Sequence, residues 1–84
     1  MDKKELKAKG KLIEPTIRIG KNGLSSSQIE EIKKQLKKRK LIKVKFLKSF
    51  LESTDRREAV KEILDRTNSY LVSFVGGVVV LYKR

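Results

Sequence analysis

The sequence predicts a two-layer α/β domain, with helices and strands in the order αβαβαββ and a four-stranded mixed sheet. Three observations predict it. Alternating apolar positions at Ile17 and Ile19, and again at Ile42, Val44 and Phe46, flank a stretch with helical periodicity. A Gly76-Gly77 pair separates two apolar runs, which is a hairpin signal. The chain has 84 residues, enough for one domain over 1–84 with a thin core.

The first helix is expected from Asp2 to about Leu12. Leu6, Gly10 and Ile13 share one side, Asp2 and Glu5 suit the first turn, and Lys9 and Lys11 suit the last. Gly10 weakens a helix by about 1 kcal/mol relative to Ala, so it implies close packing or a break. Pro15 ends the helix by pushing Glu14 out of the α region. Thr16 to Ile19 is the first strand, with Ile17 and Ile19 on one face and Arg18 on the other.

Ser25 or Ser26 opens the second helix, which runs to about Lys40 over the stripe Ile29, Ile32 and Leu36. Ser25 and Gln28 form an S-x-x-Q capping box. Leu41 to Leu47 is the second strand, apolar through Ile42, Val44 and Phe46 and basic through Lys43 and Lys45. Strand, helix and strand make a βαβ unit, which is parallel.

Lys48 to Ser53 reads as a loop. Its Phe50 either packs under the next helix or stacks on a nucleic-acid base. Asp55 with Glu58 caps the third helix, which extends to about Asn68 on the apolar face Ala59, Val60, Ile63 and Leu64. Tyr70 to Val75 and Val78 to Tyr82 form the hairpin. Both strands are apolar on both faces, with Val72 and Phe74 opposing Leu71 and Val75, and Val78 and Val80 opposing Val79 and Leu81. The first helix or a neighbour is therefore expected to cover part of the second sheet face.

The formal net charge is +12, and the charge is not scattered. Between Ile32 and Leu51 no acidic residue interrupts the lysines, whereas the chain from Glu52 onward is nearly balanced. A polyanionic partner relieves such self-repulsion. The helix dipole accounts for the last turn of lysines on the second helix but not for those that continue into the strand.

Catalytic readings find no material. The sequence has no Cys, which removes any cysteine nucleophile or cysteine metal site, and no His, which removes the commonest metal ligand and neutral-pH base. Ser25, Ser26 and Ser27 have no base at hand and are explained as caps. Glu58 and Glu62 read as a solvated helix face. No catalytic residue, metal site or cofactor is expected. Met1 to Glu5 lacks the apolar core of a signal peptide, and no run is long enough to span a membrane. A cytoplasmic monomer is expected.

The stretch Gly20-Lys21-Asn22-Gly23 links the first strand to the capped second helix. Free N–H groups at a helix start favour an anion. Asn-Gly alone is a common hairpin turn, but here a helix follows. The stretch is no Walker A loop, which requires G-x-x-x-x-G-K-[ST]. A GxxG at a helix start in a basic domain matches the way KH domains clamp nucleic-acid backbone.

Gly20-Lys-Asn-Gly-Leu-Ser25, the Leu41-Ile-Lys-Val-Lys45 strand and Gly77-Val-Val-Val-Leu-Tyr-Lys83 together resemble the CRM domain, named for chloroplast RNA splicing and ribosome maturation. Its single-domain prokaryotic members are the YhbY-like proteins. The resemblance covers about Leu6 to the end. It implies a fold similar to the C-terminal domain of translation initiation factor three, and RNA binding through the GxxG loop and adjoining basic surface. It also implies association with precursors of the large ribosomal subunit, or, as in plant members, with group II introns. Carried over by position, the RNA-binding set is Gly20, Lys21, Asn22 and Gly23, joined by Lys33, Lys34, Lys37 and Lys38 by location on the second helix. Arg18, Lys43 and Lys45 widen the electrostatic footprint.

The expected function is thus non-enzymatic RNA binding, with ribosomal RNA or a large-subunit precursor as partner. Two rivals stand beside it. A winged-helix-like DNA-binding protein would use the hairpin as its wing, but Val75-Gly-Gly-Val78 is uncharged. The other is a protein-interaction module for an acidic partner or a ribosomal protein.

Overall fold

A computed structural model describes residues 2–84. Helix α1 (Lys3–Leu12) is capped by Asp2, whose side chain accepts from the Glu5 N–H. Strand β1 (Ile17–Ile19) leads through the glycine loop to helix α2 (Ser26–Arg39), and strand β2 (Leu41–Phe46) follows. A one-turn helix α3 (Lys48–Leu51) comes next. Helix α4 (Arg56–Thr67), capped by Asp55, is followed by the hairpin of β3 (Ser69–Val75) and β4 (Val78–Lys83).

The sheet order is β1-β2-β4-β3, with β1 parallel to β2 and the other neighbours antiparallel. The mixed sheet and the parallel βαβ unit follow the sequence expectation. The expected loop after β2 is instead a helical turn. Phe50 is buried in it, with its ring centroid 5.0 Å from that of Phe46, which in turn meets Phe74 at 5.9 Å. Phe50 therefore packs rather than standing free to stack on a base.

Each sheet face has its own core. The larger joins Ile17, Ile19, Ile42, Val44, Phe46, Val79 and Leu81 to Ile32 and Leu36 of α2 and to Ala59, Val60 and Ile63 of α4. The smaller sets Leu6 of α1 on Val72 and Val80, with Leu41 and Tyr82 beside them. The covered second face expected from the two-faced strands is thus supplied by α1. Gly10 is the close approach: a Cβ there would lie 3.0 Å from Val80 Cγ1.

The strict alternation expected in β3 does not hold. A register shift between Leu71 and Ser73 sends Val72 to the α1 face and Phe74 to the main core. As the outer strand, β3 also leaves Tyr70, Leu71 and Val75 exposed.

Candidate nucleic-acid interface

The glycine loop lies where β1 and β2 end side by side. The Gly23 N–H donates to Gly20 O at 2.9 Å, closing a tight turn. Gly23 adopts φ +68°, a left-handed conformation that strains any residue with a Cβ. Gly20 is constrained by space instead, because a Cβ there would lie 3.2 Å from Leu47 Cδ1. The two glycines thus serve different needs. Between them Lys21 and Asn22 form an exposed tip whose N–H groups make no backbone hydrogen bond among the described residues.

The support beneath the tip is hydrogen-bonded to the ends of the strands. The Leu47 N–H donates to Ile19 O, and the Phe46 N–H donates to Gly77 O, each at 2.8 Å. The loop, α3 and the hairpin turn therefore gather at one end of the sheet. Phe50 lies below Gly23, where a Cβ would meet its ring at 3.7 Å.

Helix α2 begins directly after the loop. Ser25 Oγ accepts from the Gln28 N–H at 3.2 Å. The expected reciprocal half of the capping box is absent: Gln28 Nε2 donates to Arg18 O at 3.2 Å. That bond ties the helix start to β1. The N–H groups of Ser26 and Ser27 in the first turn make no hydrogen bond among the described residues and carry the positive end of the helix dipole.

With Ile29, Ile32 and Leu36 buried, the 3.6-residue repeat leaves Lys33, Lys34, Lys37 and Lys38 on solvent-facing positions. Lys38 stands roughly 18 Å along the axis from Ser26, at about 1.5 Å per residue. The acidic residues near the helix start are engaged within it. Glu30 pairs with Lys33 at 3.6 Å, and Glu31 accepts from Gln35 Nε2 at 3.2 Å. The ion pair is exposed and contributes little.

The structure divides the residues expected from sequence. The loop and the α2 lysines share one side. Arg18, Lys43 and Lys45 project from the opposite sheet face, the one α1 partly covers, because their pleat alternates with Ile17, Val44 and Phe46. Lys48 adds an exposed cation beside the loop, next to Ser49, whose Oγ lies 3.6 Å from a Gly20 Cβ position. Its place in the uninterrupted lysine run was the available sequence signal. On the loop's other flank a cleft of about 740 Å³ runs from Gly23 along α4, where Asp55, Glu58, Glu62 and Asp65 meet Lys61 and Arg66. This carboxylate-rich wall disfavours an anion there, so an anion at the loop is directed towards α2.

The class these features define is a small α/β domain in which a glycine turn feeds a lysine-lined helix, placing free N–H groups beside a run of positive charge. Comparison with known proteins makes the class specific. Residues 1–83 match the CRS1 / YhbY (CRM) domain, and the chain belongs to that family. It is 38% identical over 81 residues to Probable RNA-binding protein MJ0652 of Methanocaldococcus jannaschii, covering 96% of this chain and 60% of the relative's length. Against Probable RNA-binding protein YqeI of Bacillus subtilis the identity is 32%, over 96% of this chain and 82% of the relative. The solution structure of SAV1595 from Staphylococcus aureus superposes with a TM-score of 0.79 at 31% identity, covering 98% of this chain and 83% of that one.

Proposed function

We propose that the chain is a non-enzymatic RNA-binding protein whose glycine loop docks an RNA phosphate and whose α2 lysines follow the backbone onward. The observation that carries this reading is the continuity of the exposed tip, the free N–H groups of Ser26 and Ser27 and the lysine face of α2. Family membership and the relatives' names support RNA as the polyanion. Lys21 adds charge at the tip, and the backbone N–H groups supply fixed donors. Such contacts set position and carry no sequence information. With Phe50 buried, the loop offers no aromatic ring for stacking, so recognition follows RNA shape and backbone. Arg18, Lys43 and Lys45 strengthen the general field from the other face.

The partner we assign is ribosomal RNA within a large-subunit precursor, the association that the family resemblance implies. Competition between structured RNA and duplex DNA at fixed salt tests the first part, and structured RNA should win. Sedimentation of the cellular protein tests the second. It should travel with large-subunit precursors and leave them after nuclease treatment; co-sedimentation that survives nuclease would assign the contact to protein instead.

A further inference from the structure

The sheet face opposite α2 holds a second surface of different character. One rung crosses all four strands in the order Arg18, Lys45, Val78, Val75. It spans roughly 14 Å at about 4.8 Å per strand. It is cationic on β1 and β2 and aliphatic on β4 and β3. Beside it a groove of about 410 Å³ lies between α1 and the sheet, walled by Lys7 and Lys11 and floored by Lys43, Val75, Val78 and Val80. The close approach of Gly10 to Val80 holds α1, and so both wall lysines, against the sheet. Among the described residues no carboxylate lines the groove, and Val75 is 75% exposed.

We propose that this groove docks an acidic segment of a partner protein, with an aliphatic side chain on the valine floor and flanking carboxylates on the lysines. Charge complementarity selects an anion. A second copy of the chain brings a net charge of +12 and is repelled. The floor selects peptide over RNA. It presents no ring for a base to stack on, and Ser73 is its one uncharged polar side chain, too little to read base edges. The site lies across the sheet from the loop and α2, so it does not depend on RNA binding there, and both can be filled together.

The test is a nitrogen-15 chemical-shift titration of the whole chain with a glutamate-rich peptide carrying a central leucine pair. A glutamate-only peptide of equal charge is the comparison. The leucine peptide should shift the amides of Lys43, Val78 and Val80 and bind at least about tenfold tighter than its comparison, the difference being leucine burial. Val75→Asp, at an exposed position, should keep the melting temperature, abolish that tenfold preference and leave RNA affinity unchanged. Equal binding of the two peptides, or shifts confined to α2, overturns the proposal. Displacement of the peptide by single-stranded oligouridine, with the same groove amides shifting, assigns the groove to RNA and also overturns it.

Discussion

Replacing Lys33, Lys34, Lys37 and Lys38 together with glutamine removes the helix half of the proposed RNA track with little cost to the fold. All four side chains are exposed, and the one pairing lost is the 3.6 Å contact of Lys33 with Glu30. Each phosphate contact contributes roughly 0.7 to 0.9 to the slope of log affinity against log salt, for single and double strands respectively. Losing four contacts lowers the slope by about 2.8 to 3.6. Between 50 and 200 mM salt that removes roughly 50- to 150-fold of the salt sensitivity. Fluorescence anisotropy with a labelled structured RNA across a salt series measures it directly. The matching change of Arg18, Lys43 and Lys45 to glutamine should alter the slope by less than about one contact's share. If the two variants lost equal slope, or the sheet-face variant lost more, the division of the basic residues into a binding face and a remote face would be refuted.

Two further outcomes concern the scaffold. Phe50→Ala should destabilise the domain by about 3–5 kcal/mol in denaturant unfolding, as for other buried aromatics; a neutral result would mean that the ring does not support the loop. Gly10→Leu should lower the melting temperature, by roughly 4–8 °C for each kcal/mol lost, because its side chain meets Val80 where a Cβ alone already lies at 3.0 Å. A rise in melting temperature, reflecting leucine's better helix propensity, would show that α1 is not held close to the sheet.

Most of the scaffold is legible in the sequence because its signals are local. Alternation at Ile17 and Ile19 and at Ile42 to Phe46, the caps at Ser25 and Asp55 and the Gly76-Gly77 turn each depend on neighbours within a few residues. What was hidden depends on tertiary placement. Helix α3 is a single turn without a side-chain cap, so nothing in its residues distinguishes it from a loop. The register shift in β3 breaks the period of two that assigned Val72 and Phe74 to one face. The lysines formed one run along the chain, yet the βαβ path lays α2 on one side of the sheet and turns Lys43 and Lys45 to the other. The capping box expected at Gln28 is half made because the Ser25 N–H donates to Gly23 O, while the Gln28 amide donates to Arg18 O.

In the proposed mechanism the glycine loop sets where RNA backbone docks. Gly20 is a poor probe of it, because any added Cβ presses on Leu47 at 3.2 Å and disturbs the support as well as the loop. Lys21 and Asn22 are exposed, and the Lys21 and Asn22 N–H groups make no backbone hydrogen bond among the described residues. RNA affinity of the Lys21→Asp, Asn22→Asp double variant, measured at fixed salt alongside its melting curve, is therefore the most direct test. The affinity should fall at least about tenfold, as expected for lost charge-assisted contacts, while the melting temperature stays at the wild-type value. Wild-type RNA affinity in a normally folded double variant would contradict the claim and leave the loop as a structural turn.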